Sequence, residues 1–334
     1  MTTSEFRPVF VVGCQRSGST LLGAMLGSHP DMICLPEAQF LTDLMHHGSP
    51  DQPVTPADLI DKVERHWRFR VWEYDLGGRR PGPDDCVPTF RGTMEWLVRQ
   101  YDRDHASGHS RIWVEQQPGH VRELHRLVRH FPDARAINVI RDGRAVAASI
   151  MPLDWGPNEI VPAAYFWEQR VARGFTAAAF LRPDQLMHIR YEDIVRNPEE
   201  AMRRCAAFIG IDYHPSMLTT VGLRLPSFTR SQHGLIGSLP NPKRIDAWQE
   251  KLTPRQVEIF EAINGDLLSY LGYTLETVHP RPVSTLAKVQ LVAMDQLKRQ
   301  LNAFRFRRRQ RPYEPDREPV QIPRGRISSA EPAE

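Results

Sequence analysis

A short apolar run followed by a turn with two glycines and two hydroxyls constrains this chain more than any other stretch. Phe10, Val11 and Val12 form a β-branched and aromatic run suited to a buried strand. Gly13 opens a turn that Gly18 closes, Ser19 and Thr20 follow, and Leu21, Leu22, Met25 and Leu26 then recur at helical spacing on one side. Gly27, His29 and Pro30 stop that helix, and a second strand runs toward a carboxylate, Glu37. Strand, turn and helix in this order aim backbone N–H groups and the positive end of a helix dipole into one space, a ready anion site.

Gly13-x-x-x-x-Gly18-Ser19-Thr20 has the spacing of the nucleotide-binding phosphate loop, but Ser19 stands where ATP and GTP enzymes carry their lysine. Arg16 is the only cation in the loop. A strand-to-helix turn without a ligand is the alternative reading of this stretch.

GCQRSGSTLLGAMLGSHP followed by LPE resembles the 5′-phosphosulfate loop of sulfotransferases that use 3′-phosphoadenosine-5′-phosphosulfate (PAPS), above all the branch of tyrosylprotein sulfotransferases and many bacterial members. The resemblance implies that Arg16 contacts the phosphosulfate and that Glu37, twenty-one residues on, removes the acceptor's proton. It further implies a P-loop-type α/β fold, a three-layer sandwich around a central, mostly parallel sheet.

Composition sets the remaining bounds. With 334 residues, 41% apolar and 25% charged, the chain suits one large globular α/β domain with additions. MTTSEFRPVF lacks a charged segment leading into a long apolar run, and no apolar stretch is long enough to span a bilayer, so a signal peptide is not expected and the cytoplasm is the expected compartment. Cys14, Cys34, Cys86 and Cys205 show no paired spacing, which indicates reduced thiols rather than a zinc site or a disulfide framework. Residues 286–334 hold eleven Lys and Arg against six Asp and Glu; with +3 for the whole chain, the remainder stands at −2.

Between residues 45 and 110, prolines and glycines divide short helical pieces, among them Ala57–Trp72 and Arg91–Tyr101. This segment reads as a helical insertion over the nucleotide domain, on the acceptor side. Trp67, Phe69, Trp72, Tyr74, Arg79 and Arg80 are pocket candidates, with core packing as the other reading of the aromatics.

Ile112–Val114, Val121–Phe131 and Ala136–Ile140 read as strand, helix and strand, and Arg141-Asp142-Gly143-Arg144 then turns into a further helix. An arginine at a strand's carboxyl end and Ser149, two helical turns later, can converge on one anion. IRDGRAVAAS resembles the family element that binds the nucleotide's 3′-phosphate, which implies Arg141 and Ser149 in that role. The chain departs from the family at Glu115-Gln116-Gln117-Pro118, where Gln116 replaces a frequent lysine and supplies a donor without charge. His120 and Arg122 are the nearby compensating candidates.

Ala163–Phe180 suggests a helix, Met187–Arg190 a strand, and Asn197-Pro198 marks a helix running through Phe208. YEDIVRNPEEAMRRCAAFIGI resembles the family segment whose tyrosine lies beside the nucleotide, implying Tyr191. SFTRSQHGLIGSLPNP reads as a loop resembling the one that closes over the nucleotide, with Ser231 and Arg244 as phosphate contacts, and a helix starts after Thr253-Pro254. The resemblance ends near Tyr273.

Three units follow: a catalytic domain over 1–278, a basic amphipathic helix over 279–311 and a disordered tail over 312–334. Leu286, Val289, Ala293, Leu297, Leu301 and Phe304 form a helical stripe ahead of Arg305-Phe306-Arg307-Arg308-Arg309. Packing of that stripe against the enzyme or in a homodimer is the first expectation and peripheral membrane contact the second; no nucleic-acid partner is expected.

The chemistry implied is sulfuryl transfer from PAPS to an acceptor hydroxyl on a saccharide, lipid, peptide or small natural product. Glu37 acts as base. Arg16, Ser17, Gly18, Ser19 and Thr20 hold the 5′ side, while Arg141 and Ser149 hold the 3′-phosphate. No metal enters this scheme. A P-loop kinase and a non-catalytic nucleotide-binding protein are the alternatives.

Overall fold

The computed structural model describes residues 6–45, 48–232, 237 and 241–315. Five strands, β1 (Arg7–Gly13), β2 (Met32–Cys34), β3 (Ile112–Glu115), β4 (Arg135–Ile140) and β5 (Leu186–Arg190), form one sheet in the order β2-β3-β1-β4-β5. All pairings are parallel, with Val12 opposite Asn138, Ile33 opposite Trp113 and Ile140 opposite Arg190. Parallel strands buried on both faces read as near-continuous apolar runs, which is the pattern of FVV, IWV and AINVI.

Alternate residues of β1 feed two cores. Val9 and Val11 pack with Leu22, Met25, Ile194, Met202 and Ile209, from helices Ser19–Gly27, Tyr191–Arg196 and Pro198–Ile209. Phe10 and Val12 pack with Phe90, Leu97, Leu124 and Phe131, from or beside helices Phe90–His105 and Leu124–His130. A third cluster joins helices Gly143–Ile150, Ile160–Thr176 and Pro254–Tyr270 through Val146, Trp167 and Phe260. Helices thus cover both faces of the sheet.

The connection after β1 leads to the β2 side and that after β4 leads to the β5 side, so their carboxyl ends flank the crevice where strand order reverses. Open α/β sheets bind ligands at such a switch point. The loop after β1 and the turn after β4 meet there because β1 and β4 are hydrogen-bonded neighbours.

Several boundaries differ from the sequence reading. The stretch 57–72 is two helices, Pro56–Arg65 and Trp67–Arg70, because His66 is extended and caps the second through its Nδ1. Residues 121–131 form a 3₁₀ turn, Pro118–Arg122, and a helix, Leu124–His130, with Glu123 breaking the helical dihedrals between them. β2 stops at Cys34, so Glu37 sits in the loop beyond it rather than at the strand's end. Phe69 and Trp72 are core residues, while Arg79 pairs with Asp104 and Arg80 with Asp61 and Glu64.

Helix Thr285–Gln310 packs with its polar face inward. Asp295 accepts from the backbone N–H groups of Asn158 and Glu159, Lys298 pairs with Glu159 at 2.6 Å, and Arg309 pairs with Asp154 at 2.8 Å. The apolar stripe faces outward, with Leu286, Leu297, Leu301 and Phe304 each at least 60% exposed. Intramolecular packing of the stripe is therefore corrected: the stripe stays exposed, and ion pairs, backbone donors and the off-stripe residues Leu291 and Phe306 dock this helix. The expected tail over 312–334 lies outside the described residues from 316 onward.

Candidate active site

The loop after β1 is held in a shape that only certain residues tolerate. Gly18 has φ +102°, and a Cβ there would lie 2.4 Å from Cδ2 of Tyr191. Arg16 itself sits at φ +72°, uncommon for a side-chain-bearing residue and a form of local strain often found at ligand sites. Ser17 N–H donates to the Cys14 carbonyl, and Leu22 N–H to that of Gly18, starting the helix. Ser17 Oγ is buried and unpartnered.

The left-handed turn swings Arg16 across the crevice. Its Nε donates to Ser149 Oγ at 3.1 Å and its Nη2 to the Gln232 carbonyl at 3.0 Å. Arg141, first residue beyond β4, donates from Nη1 to the Arg16 carbonyl at 2.9 Å and lies 4.2 Å over the Tyr191 ring. Its Nε is buried without a partner. Burial, then repulsion from Arg141, lowers the pKa of Arg16, while Glu37 opposes that shift. Two guanidiniums crowded beside an N–H-lined loop leave a strongly electropositive pocket with little to neutralise it.

Buried charges brace the turn that carries Arg141. Arg144 pairs with Asp142 at 2.7 Å and Glu261 at 2.6 Å and stacks 4.2 Å from Trp248. Glu192 accepts from Asp142 N–H and from the Tyr273 hydroxyl, and Trp167 donates to the Arg141 carbonyl at 3.0 Å.

On the opposite side, Glu37 forms an ion pair with Arg68 at 3.3 Å, and Trp72 Nε1 donates to its carbonyl at 3.0 Å. Burial raises the Glu37 pKa, Arg68 being the largest opposing influence. Arg68 in turn lies 4.3 Å from the Trp67 ring and bonds Gln39. Behind Glu37, the fully buried Glu115 accepts from the N–H groups of Ala38 and Gln117 and bonds His120 Nδ1 at 2.7 Å. Gln116 is buried beside Thr20, Glu37 and Arg68, with Oε1 unpartnered.

One cavity of about 620 Å³ collects most of the expected residues: Arg16, Gly18, Ser19, Thr20, Glu37, Arg141, Tyr191, Ser231 and Arg244 all line it. Ser17 and Ser149 do not, although Ser149 holds Arg16 in place. Seven arginines line the cavity against three carboxylates, so it favours a polyanion. Of the aromatic and basic candidates between 45 and 110, none lines it; that segment supplies Arg68 instead. Phe228, Phe306 and Arg309 also form its wall, Arg309 stacking 4.4 Å from Phe228. The sequence carried no local signal for the last two, whose approach depends on how the C-terminal helix docks.

A model of the Sulfotransferase family matches residues 8–215. Nodulation protein NoeE of Sinorhizobium fredii is 26% identical over 301 residues, covering 81% of this chain and 67% of that protein. Protein-tyrosine sulfotransferase 1 of Danio rerio is 24% identical over 279 residues, covering 79% and 72%. The sulfotransferase domain from the Synechococcus PCC 7002 olefin synthase matches in fold with a TM-score of 0.57 at 18% identity, covering 81% of this chain and 95% of that one. The sulfotransferase domain from the curacin biosynthetic pathway gives 0.54 at 17% identity, covering 80% and 98%.

Proposed function

The chain belongs to the sulfotransferase family, and from that premise we propose that the cavity binds PAPS and transfers its sulfuryl group to an acceptor hydroxyl. The observation that carries the reading is the junction of Arg16, Ser149, Arg141 and Tyr191, which joins two separate anion-binding elements in one crevice. A donor with phosphates at both its 5′ and 3′ ends matches two such elements; ATP offers nothing for the second.

In this reading Arg16, Ser17, Ser19, Thr20 and the loop N–H groups hold the 5′-phosphosulfate. Arg141 and Ser149 hold the 3′-phosphate, Tyr191 lies beside the nucleotide, and Ser231 and Arg244 close over it. As the acceptor oxygen bonds to sulfur, its proton passes to Glu37 and the bond from sulfur to the bridging oxygen breaks, releasing 3′-phosphoadenosine-5′-phosphate. Negative charge spreads onto the leaving phosphate, where preorganised donors stabilise it most. Arg68 opposes the burial that raises the Glu37 pKa and so favours the ionised form that accepts the proton. The acceptor enters along the wall of Arg68, Phe228, Phe306 and Arg309. Transfer of labelled sulfuryl from PAPS to phenolic, saccharide and peptide hydroxyls tests this: Glu37→Gln is expected to lower it by ~10²–10⁴-fold. Retained transfer in that variant would place the base elsewhere.

The outward stripe of the C-terminal helix, flanked by Arg305, Arg307 and Arg308, is read as a peripheral contact with an anionic membrane surface. Replacing Leu297, Leu301 and Phe304 with Ser leaves the packed face intact and is expected to abolish sedimentation with phosphatidylserine vesicles. Unchanged sedimentation removes this reading, and a homodimer lost in the variant reassigns the stripe to self-association.

A further inference from the structure

We infer that Arg309, on the C-terminal helix, is a positioning residue for the donor: it fixes the turn that orients Arg16 toward the phosphosulfate. The inference rests on the donor assignment above. Three contacts set the Arg309 guanidinium against that turn. Nη1 donates to the Phe228 carbonyl at 3.3 Å, Nη2 pairs with Asp154 at 2.8 Å, and the guanidinium carbon lies 4.4 Å from the centre of the Phe228 ring. A planar guanidinium bonded through both terminal nitrogens and stacked on a ring has one geometry, so it clamps what it touches.

The turn transmits that clamp. Thr229 and Arg230 N–H groups both donate to the Pro226 carbonyl and Gln232 N–H to that of Thr229, so Phe228 and Gln232 belong to one hydrogen-bonded unit. Tyr313 braces its start: the hydroxyl shares a 3.0 Å hydrogen bond with Ser227 Oγ, and the ring packs edge-on against Phe228 at 5.5 Å. Glu73, held at φ +54°, accepts from Ser227 N–H at 3.2 Å. At the far end Trp155 Nε1 donates to Gln232 Oε1 at 3.2 Å. The two ends of the turn are thus tied to the adjacent residues Asp154 and Trp155, the first of them through Arg309.

Arg16 is where the turn meets the donor. The Gln232 carbonyl accepts from Arg16 Nη2 at 3.0 Å and Ser149 Oγ from its Nε at 3.1 Å. Those bonds leave Nη1 as the guanidinium nitrogen without a partner among the described residues, and Arg16 lines the cavity. Holding a long side chain in place before the ligand arrives spares the entropy of ordering it on binding. A shift of the turn removes one of the two tethers and frees Arg16 to swing about the other. Arg309 therefore acts on the donor through Gln232 and Arg16. Its helix lies beyond residue 215, where the family match ends, so the brace is read from this chain's own contacts.

Calorimetric titration of the full chain with 3′-phosphoadenosine-5′-phosphate tests this role. Arg309→Met keeps the apolar stem and removes both tethers, and about tenfold weaker binding is expected. Tyr313→Phe keeps the ring and removes only the hydroxyl at Ser227, with about threefold weaker binding expected. In an Arg16→Ala background, Arg309→Met is expected to weaken binding by less than about twofold, because the side chain it works through is gone. A loss of equal size in both backgrounds would mark Arg309 as a general structural support and overturn the inference. So would a folded Arg309→Met chain that binds as tightly as wild type or, should that variant not fold, unchanged affinity in Tyr313→Phe. A wild-type chain that does not bind the nucleotide would instead sink the donor assignment itself.

Discussion

Gly18 to Ala is the perturbation whose cost the geometry defines most sharply. The new methyl would stand 2.4 Å from Tyr191 Cδ2 and 3.0 Å from Cε2, so the ring must retreat by about 1 Å to reach ordinary contact. It has little room, because Arg141 lies 4.2 Å over the ring and is itself bonded to the Arg16 carbonyl. Overpacking of this kind costs roughly 1–3 kcal/mol, and a left-handed backbone at a non-glycine residue roughly 1–2 kcal/mol more. With an m value of about 3 kcal/mol/M, the urea midpoint is expected to fall by about 1 M. Tyr191→Leu removes the ring edge, so a double-mutant cycle is expected to recover about 1–3 kcal/mol of the loss. Additive behaviour of the two substitutions, or a midpoint shift under about 0.2 M, would refute the claim that the ring sets the loop's shape.

Two further outcomes follow from the charges. The Glu37 carboxyl, raised by burial, must be ionised to accept a proton, so turnover falls as pH drops through that raised value. Arg68→Met removes the main opposing influence and is expected to move this acid limb up by roughly 1–3 pH units; an unmoved limb would show that Arg68 does not govern the base. The stability term runs the other way, being present at low pH and lost as pH rises through the raised value. Arg144→Leu strands Asp142 and Glu261 in the interior, and chemical denaturation is expected to show a loss of roughly 3–5 kcal/mol. A loss below about 1 kcal/mol would mean that the triad does not brace the Arg141 turn.

What the sequence disclosed was whatever it encodes contiguously. The apolar runs of β1, β3 and β4, the glycines of the first loop and the Arg141 turn are local patterns, and parallel pairing of β1 with β4 brings two of them together. Arg68 was missed because the pocket candidates of its segment were the flanking aromatics and Arg79 and Arg80, whereas Phe69 and Trp72 pack in the core and Arg68 beside them faces the cavity. Phe306 and Arg309 reach the cavity only because Asp295, Lys298 and Arg309 dock a helix by its polar face, opposite to the face that amphipathic reasoning selects. Glu115 and His120 lie five residues apart across a strand end and a 3₁₀ turn, a spacing with no periodic signature.

The central claim is that two phosphate-binding elements act on one nucleotide, and calorimetric titration with 3′-phosphoadenosine-5′-phosphate beside ADP and ATP tests it most directly. Wild-type protein is expected to prefer the 3′-phosphorylated nucleotide, and Arg141→Ala to lose that preference while keeping weak ADP binding. ATP binding as tight or tighter, unaffected by the substitution, would contradict the assignment of Arg16, Arg141 and Ser149 and return the site to a kinase-like reading.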